Sequence, residues 1–225
     1  MLVKEWMSKN VITTETDESV KTAEKMLLAY NIHSLPVLHQ GSLTGIVTGG
    51  DIKRAIISAS NTFSINRFLK STSSLLVSEV MTKNVKTVSL LNTISETINI
   101  FLKHRILGVP VVDEKGEMVG IITKTDIFNA LTSLTSMDKK GIDIGFQVED
   151  RPGSIKEITD IIRLHDGRIA SILASYERAS IGHRNVYIRV YNIDRSNLIQ
   201  IRSKILKKTK LHYIIDPFGQ TRELF

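Results

Sequence analysis

One short phrase occurs twice in this chain of 225 residues, and the repetition restricts the fold more than any other feature. A glycine, an apolar stretch, a threonine and, three residues later, an aspartate stand at Gly45–Asp51 and again at Gly120–Asp126. Upstream residues such as Met7 and Pro36 also recur about 75 residues later, as Met81 and Pro110. The sequence therefore predicts one structural unit of about 75 residues that is present twice.

Hydrophobic periodicity predicts strand–helix–strand–strand–helix in each copy. In the second copy, the helix that follows Val88 is expected to bury Ile94, Ile98, Phe101 and Leu102. From Gly141 the pattern changes to βαββαβ, the order of an antiparallel sheet with two helices. The fold class expected from these patterns is α+β. The predicted domain boundaries are 1–58 for the first copy, 59–77 for a linker rich in serine and threonine, 78–136 for the second copy, 141–217 for a third domain and 218–225 for a C-terminal tail.

Composition excludes several classes of site and location. Without cysteine, the chain cannot form disulfides, thiolate metal sites or a cysteine nucleophile. The N-terminus lacks the pattern of a signal peptide, and no apolar run approaches the roughly 18–20 residues of a membrane span. We therefore expect a cytoplasmic protein with no membrane partner. The net charge of +7 is compatible with a basic, soluble surface or with a nucleic-acid partner, and we favour the first because no helix-turn-helix pattern is present.

The repeated Thr-x-x-Asp pattern has two interpretations. Thr48 and Asp51 stand where a strand ends and a helix begins, as do Thr123 and Asp126. The aspartates could simply cap their helices. Alternatively, an ionised carboxylate at this place could accept two hydrogen bonds from a vicinal diol, and a ribose offers such a diol. The recurrence in the same register favours a ligand site over capping alone.

The duplicated phrase and the strands at 34–37 and 108–111 resemble a tandem pair of CBS domains, the Bateman module. The resemblance covers residues 1 to about 136. It implies two repeats packed as a pseudo-symmetric pair, with adenosine compounds bound in the cleft between them. The residues that match the family's binding positions are Ile12, Thr13, His33, Ser34, Leu35, Pro36, Thr48 and Asp51 in the first repeat, and Lys86, Thr87, Gly108, Val109, Pro110, Thr123 and Asp126 in the second.

The two implied sites differ on the side of the phosphate. In some relatives a basic residue three positions before the proline contacts phosphate. His33 stands there in the first repeat, whereas Leu107 replaces it in the second, where Arg105 or Lys124 could substitute. A phosphorylated ligand is therefore expected first at the site that uses Asp51 with His33.

The last third resembles an ACT domain, a ferredoxin-like βαββαβ module. The motif Asp150-Arg151-Pro152-Gly153 carries the resemblance, and it implies pairing into a homodimer and a small-molecule site, often for an amino acid, near this turn. A tight turn without a ligand is the alternative. The order CBS–CBS–ACT resembles the acetoin-utilisation type of regulatory protein.

Together, the motifs and the two resemblances predict a regulatory protein without catalytic activity that senses AMP, ADP or ATP, with S-adenosylmethionine as an alternative ligand. No catalytic motif was found, and none of the six histidines has a partner at metal-ligand spacing, so no metal and no catalytic cofactor are expected. The remaining alternatives are a nucleic-acid-associated regulator, an uncharacterised enzyme and a structural adaptor with vestigial clefts.

Overall fold

The computed structural model describes residues 1–60, 75–136 and 140–225, with side chains left out at 58–60. Most of the predicted linker, 61–74, therefore lies outside the described residues. The chain divides into two compact units, Met1–Ala130 and Leu131–Phe225. The predicted third domain began at 141, so the division observed lies earlier, inside a helix.

The N-terminal unit contains both repeats. Its helices are α1 (Val20–Ala29), α2 (Gly49–Ser60), the short α3 (Val77–Val80), α4 (Ile94–His104) and α5 (Lys124–Thr135), the last of which crosses into the next unit. Its strands are β1 (Thr14–Glu15), β2 (Ser34–His39), β3 (Ser42–Thr48), β4 (Val88–Ser89), β5 (Gly108–Val112) and β6 (Met118–Thr123), and a 3₁₀ turn lies at Val3–Glu5.

Each repeat forms its own three-stranded sheet, in the orders β1-β2-β3 and β4-β5-β6. The first two strands of each sheet are parallel, and the second and third form an antiparallel hairpin. The helices begin with recognisable caps: the hydroxyl of Ser19 accepts from Thr22 N at the start of α1, and Thr93 and Glu96 form a capping box on α4. The repeated strand and helix pattern is thus observed twice.

The helix α4 buries the predicted face except for Leu102, and Ile98 packs against the core as expected. Ile94 and Phe101 lie in the core of the second repeat, but Leu102 is 72% exposed. Thr97 is fully buried in its place, and its hydroxyl donates to the carbonyl of Thr93 at 3.0 Å. Because that hydroxyl is satisfied within the helix, burying the threonine leaves no unpaired polar atom.

The two repeats exchange their leading segments. Val3 belongs to the core cluster of the second repeat, and Trp6 packs against the same cluster. Conversely, Val77 belongs to the core of the first repeat, with Met81 packed against it. The predicted divisions at 1–58 and 78–136 therefore cut across the structural cores, since each core includes a segment from the beginning of the other repeat.

Antiparallel bridges fix this exchange with the same geometry on both sides. Ser8 and Ile121 exchange two backbone hydrogen bonds of 2.9 Å. Ile46 and Thr82 do the same in the first repeat, at 3.0 and 2.9 Å. The leading segment of one repeat is thus joined to the hairpin of the other by a single isolated bridge.

The C-terminal unit contains a five-stranded antiparallel sheet of order β11-β10-β7-β9-β8. Its elements are β7 (Ile142–Glu149), α6 (Ser154–Arg163), β8 (Arg168–Ser175), β9 (His183–Tyr191), a 3₁₀ turn (Arg195–Asn197), α7 (Leu198–Leu206), β10 (Lys210–Asp216) and β11 (Thr221–Leu224). Both helices contribute to a single core with β7, β9 and β10, in which Phe146, Ile158, Ile188 and Ile201 are almost completely buried.

The residues predicted as a tail, 218–225, contain a strand. β11 pairs with β10 from Tyr213↔Leu224 to Asp216↔Thr221, so the chain ends in a hairpin. Asp216 is buried at this turn and accepts from Arg195 and from the backbone N–H groups of Phe218 and Gly219. These four hydrogen bonds hold the turn that brings the last residues back onto the sheet.

Candidate functional site

The predicted binding residues of each repeat lie at one end of its sheet. Because β1 and β2 run parallel and β3 runs back against them, the beginnings of β1 and β2 meet the end of β3 at the same edge. Ser34 pairs with Thr48 at this edge in the first repeat, and Gly108 pairs with Thr123 in the second. The helix that carries the aspartate begins immediately after each threonine.

In the first repeat, the side chain of Asp51 folds back onto Thr48. Its Oδ2 accepts from the backbone N of Thr48 at 2.9 Å and from the Thr48 hydroxyl at 2.6 Å. The same hydroxyl oxygen accepts from the backbone N of Asp51 at 3.2 Å. Oδ2 of Asp51 thus stabilises the turn from strand to helix, whereas Oδ1 makes no hydrogen bond to Thr48.

The second repeat has the same arrangement. Oδ2 of Asp126 accepts from the backbone N and the hydroxyl of Thr123, both at 2.7 Å. The Thr123 hydroxyl also lies 3.4 Å from the backbone N of Asp126. Each threonine and aspartate therefore form a capping box, in which the threonine hydroxyl caps the helix and one aspartate oxygen accepts from the threonine. The simpler interpretation, that the aspartates serve the helix start, thus holds for a single oxygen of each.

The second oxygen of each carboxylate has a different environment in the two repeats. Oδ1 of Asp51 accepts from Nη2 of Arg54, one turn further along α2. The residue at the matching position of α5 is Asn129, and no residue in the described part of the chain donates to Oδ1 of Asp126. The sequence interpretation did not single out Arg54, although its i, i+3 spacing from Asp51 was visible.

Four of the predicted binding residues have buried side chains, and two of these belong to the hydrophobic cores. Leu35 and Val109 are buried members of the two hydrophobic clusters, and Pro36 and Pro110 are buried beside them in the same strands. Only their backbone can face a ligand, so the expectation that these residues line the site holds for main-chain atoms alone.

Other predicted residues are accessible at the edge. His33, Lys86 and Thr87 are exposed, and Ile12 and Thr13 are half-buried immediately before β1. Leu107, which replaces the histidine in the second repeat, is exposed, and its carbonyl accepts from the backbone N of Lys124 at 2.8 Å. The structure therefore gathers both groups of residues at equivalent edges.

The glycine of the repeated phrase has a packing role. A Cβ added at Gly120 would lie 2.8 Å from Sδ of Met7 and 2.9 Å from the carbonyl oxygen of Ser8. At Gly45 the same atom would collide with the side chain of Met81. The structure thus connects this glycine to the packing of the exchanged segments.

The C-terminal unit contains a cavity of about 500 Å³ at the turn between β7 and α6. Its charged lining residues are Glu149, Arg151, Glu157, His183, Lys208 and Lys210. The turn is stabilised internally, since Arg151 donates to Glu149 at 2.8 Å and pairs with Glu157 at 2.7 Å. These two ion pairs hold the pKa of Arg151 above its usual range, and the bond from Arg151 holds the pKa of Glu157 below its own.

The other residues of the motif shape this turn. Asp150 accepts from the hydroxyl of Tyr176 at 3.3 Å, and Pro152 is exposed. Gly153 precedes α6 with a φ of 85°, a left-handed conformation that favours glycine. Of the four predicted residues, only Arg151 lines the cavity.

Within residues 1–60, 75–136 and 140–225, no group of three or more histidine, aspartate or glutamate side chains is arranged to hold a metal ion. In the same described ranges, no helix has the length and the apolar composition needed to cross a membrane.

Comparisons with known proteins agree with the repeat. The family model described as "CBS domain" matches residues 3–58 and 77–133. A CBS domain-containing protein of Dictyostelium discoideum is 32% identical over 58% of this chain and 91% of its own length. L-aspartate semialdehyde sulfurtransferase of Methanocaldococcus jannaschii is 35% identical over 56% of this chain, but the match spans only 22% of that enzyme.

A solved structure also aligns with this part of the chain. It is a CBS domain pair in complex with 5′-methylthioadenosine and S-adenosyl-L-methionine, 32% identical, with a TM-score of 0.48 over 58% of this chain and 95% of that one. The family match falls on both copies of the repeat, in the segments that the structure folds into two equivalent sheets. The chain therefore belongs to the CBS domain family.

Proposed function

We propose that this protein is a non-catalytic regulatory module that binds adenine nucleotides at the two strand-to-helix edges marked by Asp51 and Asp126. The observation that carries the proposal is the duplicated Thr–Asp arrangement, in which only Oδ2 of each carboxylate is used at the helix start. The second oxygen, which accepts from the exposed Arg54 in the first repeat and from no described residue in the second, can accept a ribose hydroxyl.

In this proposal the ribose diol donates to the aspartate, and the adenine lies between the segment before β1 or β4 and the backbone of the following strand. In the first site these groups come from Thr13, Ser34 and Leu35. In the second they come from Thr87 and Gly108. His33 is the expected phosphate contact of the first site. We place the protein in the cytoplasm.

Regulation requires that the ligand prefer one arrangement of the repeats over another. The exchanged segments offer a physical route, because a ligand at Asp126 contacts a repeat whose core includes residues from the beginning of the chain. A displacement of β6 would also strain the bridge between Ser8 and Ile121. We propose that nucleotide binding changes the arrangement of the two repeats through strain in these bridges.

Titration calorimetry tests the proposal with AMP, ADP, ATP and S-adenosylmethionine. Asp51→Asn and Asp126→Asn each remove a charged acceptor worth about 1.5–3 kcal/mol, so affinity at the altered site should fall roughly 10- to 150-fold. Asp17→Asn is the matched control, because Asp17 is exposed at the opposite end of β1. Binding that is absent for all four compounds would refute nucleotide sensing and leave a structural adaptor as the better description.

For the C-terminal unit we propose an ACT domain that binds an amino acid at the β7–α6 turn. The cavity at this turn supports the proposal. Arg151 is engaged by Glu149 and Glu157, and Lys208 lies 3.6 Å from Glu157, so among the described lysines and arginines of the lining Lys210 is the cation proposed to receive the carboxylate of the amino acid. Thermal shift with a panel of amino acids tests this; Lys210→Gln should abolish the shift, and Lys207→Gln, outside the cavity, should preserve it.

We also propose a homodimer formed through β8. This strand pairs only with β9 among the described residues, and it exposes Ile172 and Leu173 at 43% and 36%. An open strand edge with apolar side chains can extend a sheet across two copies. Light scattering should give twice the mass of 25.2 kDa, and Leu173→Lys should shift the protein toward the monomer.

A further inference from the structure

The two edges are not equivalent, and the difference is carried by one cation. We propose that Arg54 is a specificity-determining residue that makes the Asp51 site select phosphorylated adenosine ligands over uncharged ones, whereas the Asp126 site lacks this selection. The inference rests on the proposed function, because it assumes that both aspartates receive a ribose.

In the absence of ligand, Arg54 competes with the ribose. Its guanidinium donates to Oδ1 of Asp51, the oxygen that the cap leaves available. The arginine side chain is 74% exposed, whereas that of Asp51 is only 10% exposed. An uncharged nucleoside must therefore displace the guanidinium from a well-covered carboxylate and release it into water without compensation.

A phosphorylated ligand changes this balance. The displaced guanidinium remains tethered beside the site, and it can form charge-assisted, bidentate hydrogen bonds to phosphate. A Cβ added at Gly50 would come within 3.5 Å of the Nη1 atom of Arg54, so the cation lies over the start of α2 with only a glycine beneath it. The phosphate thus replaces the carboxylate as the partner of Arg54.

The second repeat lacks this element. Asn129 occupies the position that matches Arg54, and Thr125 occupies the position that matches Gly50. Oδ1 of Asp126 has no donor among the described residues. A ribose can approach that oxygen without displacing a side chain, so adenosine and AMP should differ less in affinity there.

The test uses the full chain carrying Asp126→Asn, so that calorimetry reports the Asp51 site, and compares adenosine with AMP before and after Arg54→Gln. Removing an exposed ion pair should improve adenosine binding about two- to fivefold. The same relief applies to AMP, but AMP also loses a charged hydrogen bond to phosphate, so its binding should weaken by a net factor of about 2 to 75. The opposite directions are the signature, because damage to the fold would weaken both ligands together.

A second part of the test introduces the arginine into the second repeat. Asn129→Arg in a chain carrying Asp51→Asn should give the Asp126 site the same preference for AMP, and Asn129→Gln should leave it unchanged. If both ligands bind the parent chain but shift together, or do not shift, on Arg54→Gln, the role of Arg54 is refuted and nucleotide binding stands. If neither ligand binds the wild-type chain, the proposed function itself fails.

Discussion

The close contact at Gly120 makes a quantitative prediction about the exchanged segments. In Gly120→Ala, the new methyl group would lie 2.9 Å from the carbonyl oxygen of Ser8, well inside ordinary van der Waals contact. That oxygen cannot withdraw easily, because it accepts the 2.9 Å hydrogen bond from Ile121 that forms the bridge. Overpacking of this kind costs about 1–3 kcal/mol, and we expect this loss for the N-terminal unit.

The chain provides its own reporter for this loss. Trp6 is the single tryptophan, and it packs against the core of the second repeat within the exchanged segment. Urea unfolding followed by tryptophan fluorescence should show a midpoint lowered by about 0.5–1.5 M, for a slope of about 2 kcal/mol per molar. If the segment that carries Trp6 partly leaves the core of the second repeat, the fluorescence emission of the folded protein should also shift to longer wavelength, before any unfolding by urea.

Two glycines act as controls. The three atoms nearest to a Cβ at Gly45 all belong to the side chain of Met81, which can move, so Gly45→Ala should cost less than Gly120→Ala. Gly49→Ala meets nothing within 4 Å and stands at the beginning of α2, so it should be neutral or stabilise by up to about 1 kcal/mol. A wild-type midpoint for Gly120→Ala, or an equal loss for Gly49→Ala, would refute the reasoning.

Three further predictions concern the C-terminal unit. Asp216→Ala should destabilise this unit by about 1.5–3 kcal/mol and increase proteolysis of the last hairpin, because the carboxylate is buried and bonded to Arg195. The bond from Arg195 lowers the pKa of Asp216, so the stabilisation is present above pH 3.8 and is lost as the pH falls further. Burial, with Lys210, lowers the pKa of His212 below its ordinary 6.5, so stability should also fall as the pH drops below 6.5, and His212→Gln should remove that part of the pH profile in urea titrations. Gly153→Ala should cost about 1–2 kcal/mol in thermal unfolding, because φ is 85° and no atom lies near the added methyl, while Gly153→Asn should cost less.

Much of the candidate site followed from local patterns. The Thr-x-x-Asp phrase predicted a strand end, a helix start and an adjoining hydroxyl and carboxylate, and both copies have that geometry. Such features depend on residues three positions apart, so one sequence is sufficient to infer them. The pairing of Arg54 with Asp51 is equally local, but sequence alone offers no means of choosing it among several exposed cations.

Features that depend on distant segments were not predictable. Thr97 lies three and four residues from Ile94 and Phe101 on α4, and only the surrounding core decided that this polar residue would be buried while the apolar Leu102 stays exposed. The residues 218–225 contain too few apolar residues to read as a strand, yet Asp216 turns them back onto β10. In both cases the deciding contacts come from tertiary neighbours or from a buried turn.

The sequence by itself determined that a unit is duplicated, that a different βαββαβ pattern follows it, and that each repeat ends a strand with a threonine and an aspartate. The tertiary structure decided which segment completes which core, because Met7 and Met81 could each have packed against the glycine of either repeat. Local patterns specify elements and caps, whereas the choice between equivalent partners depends on packing in three dimensions.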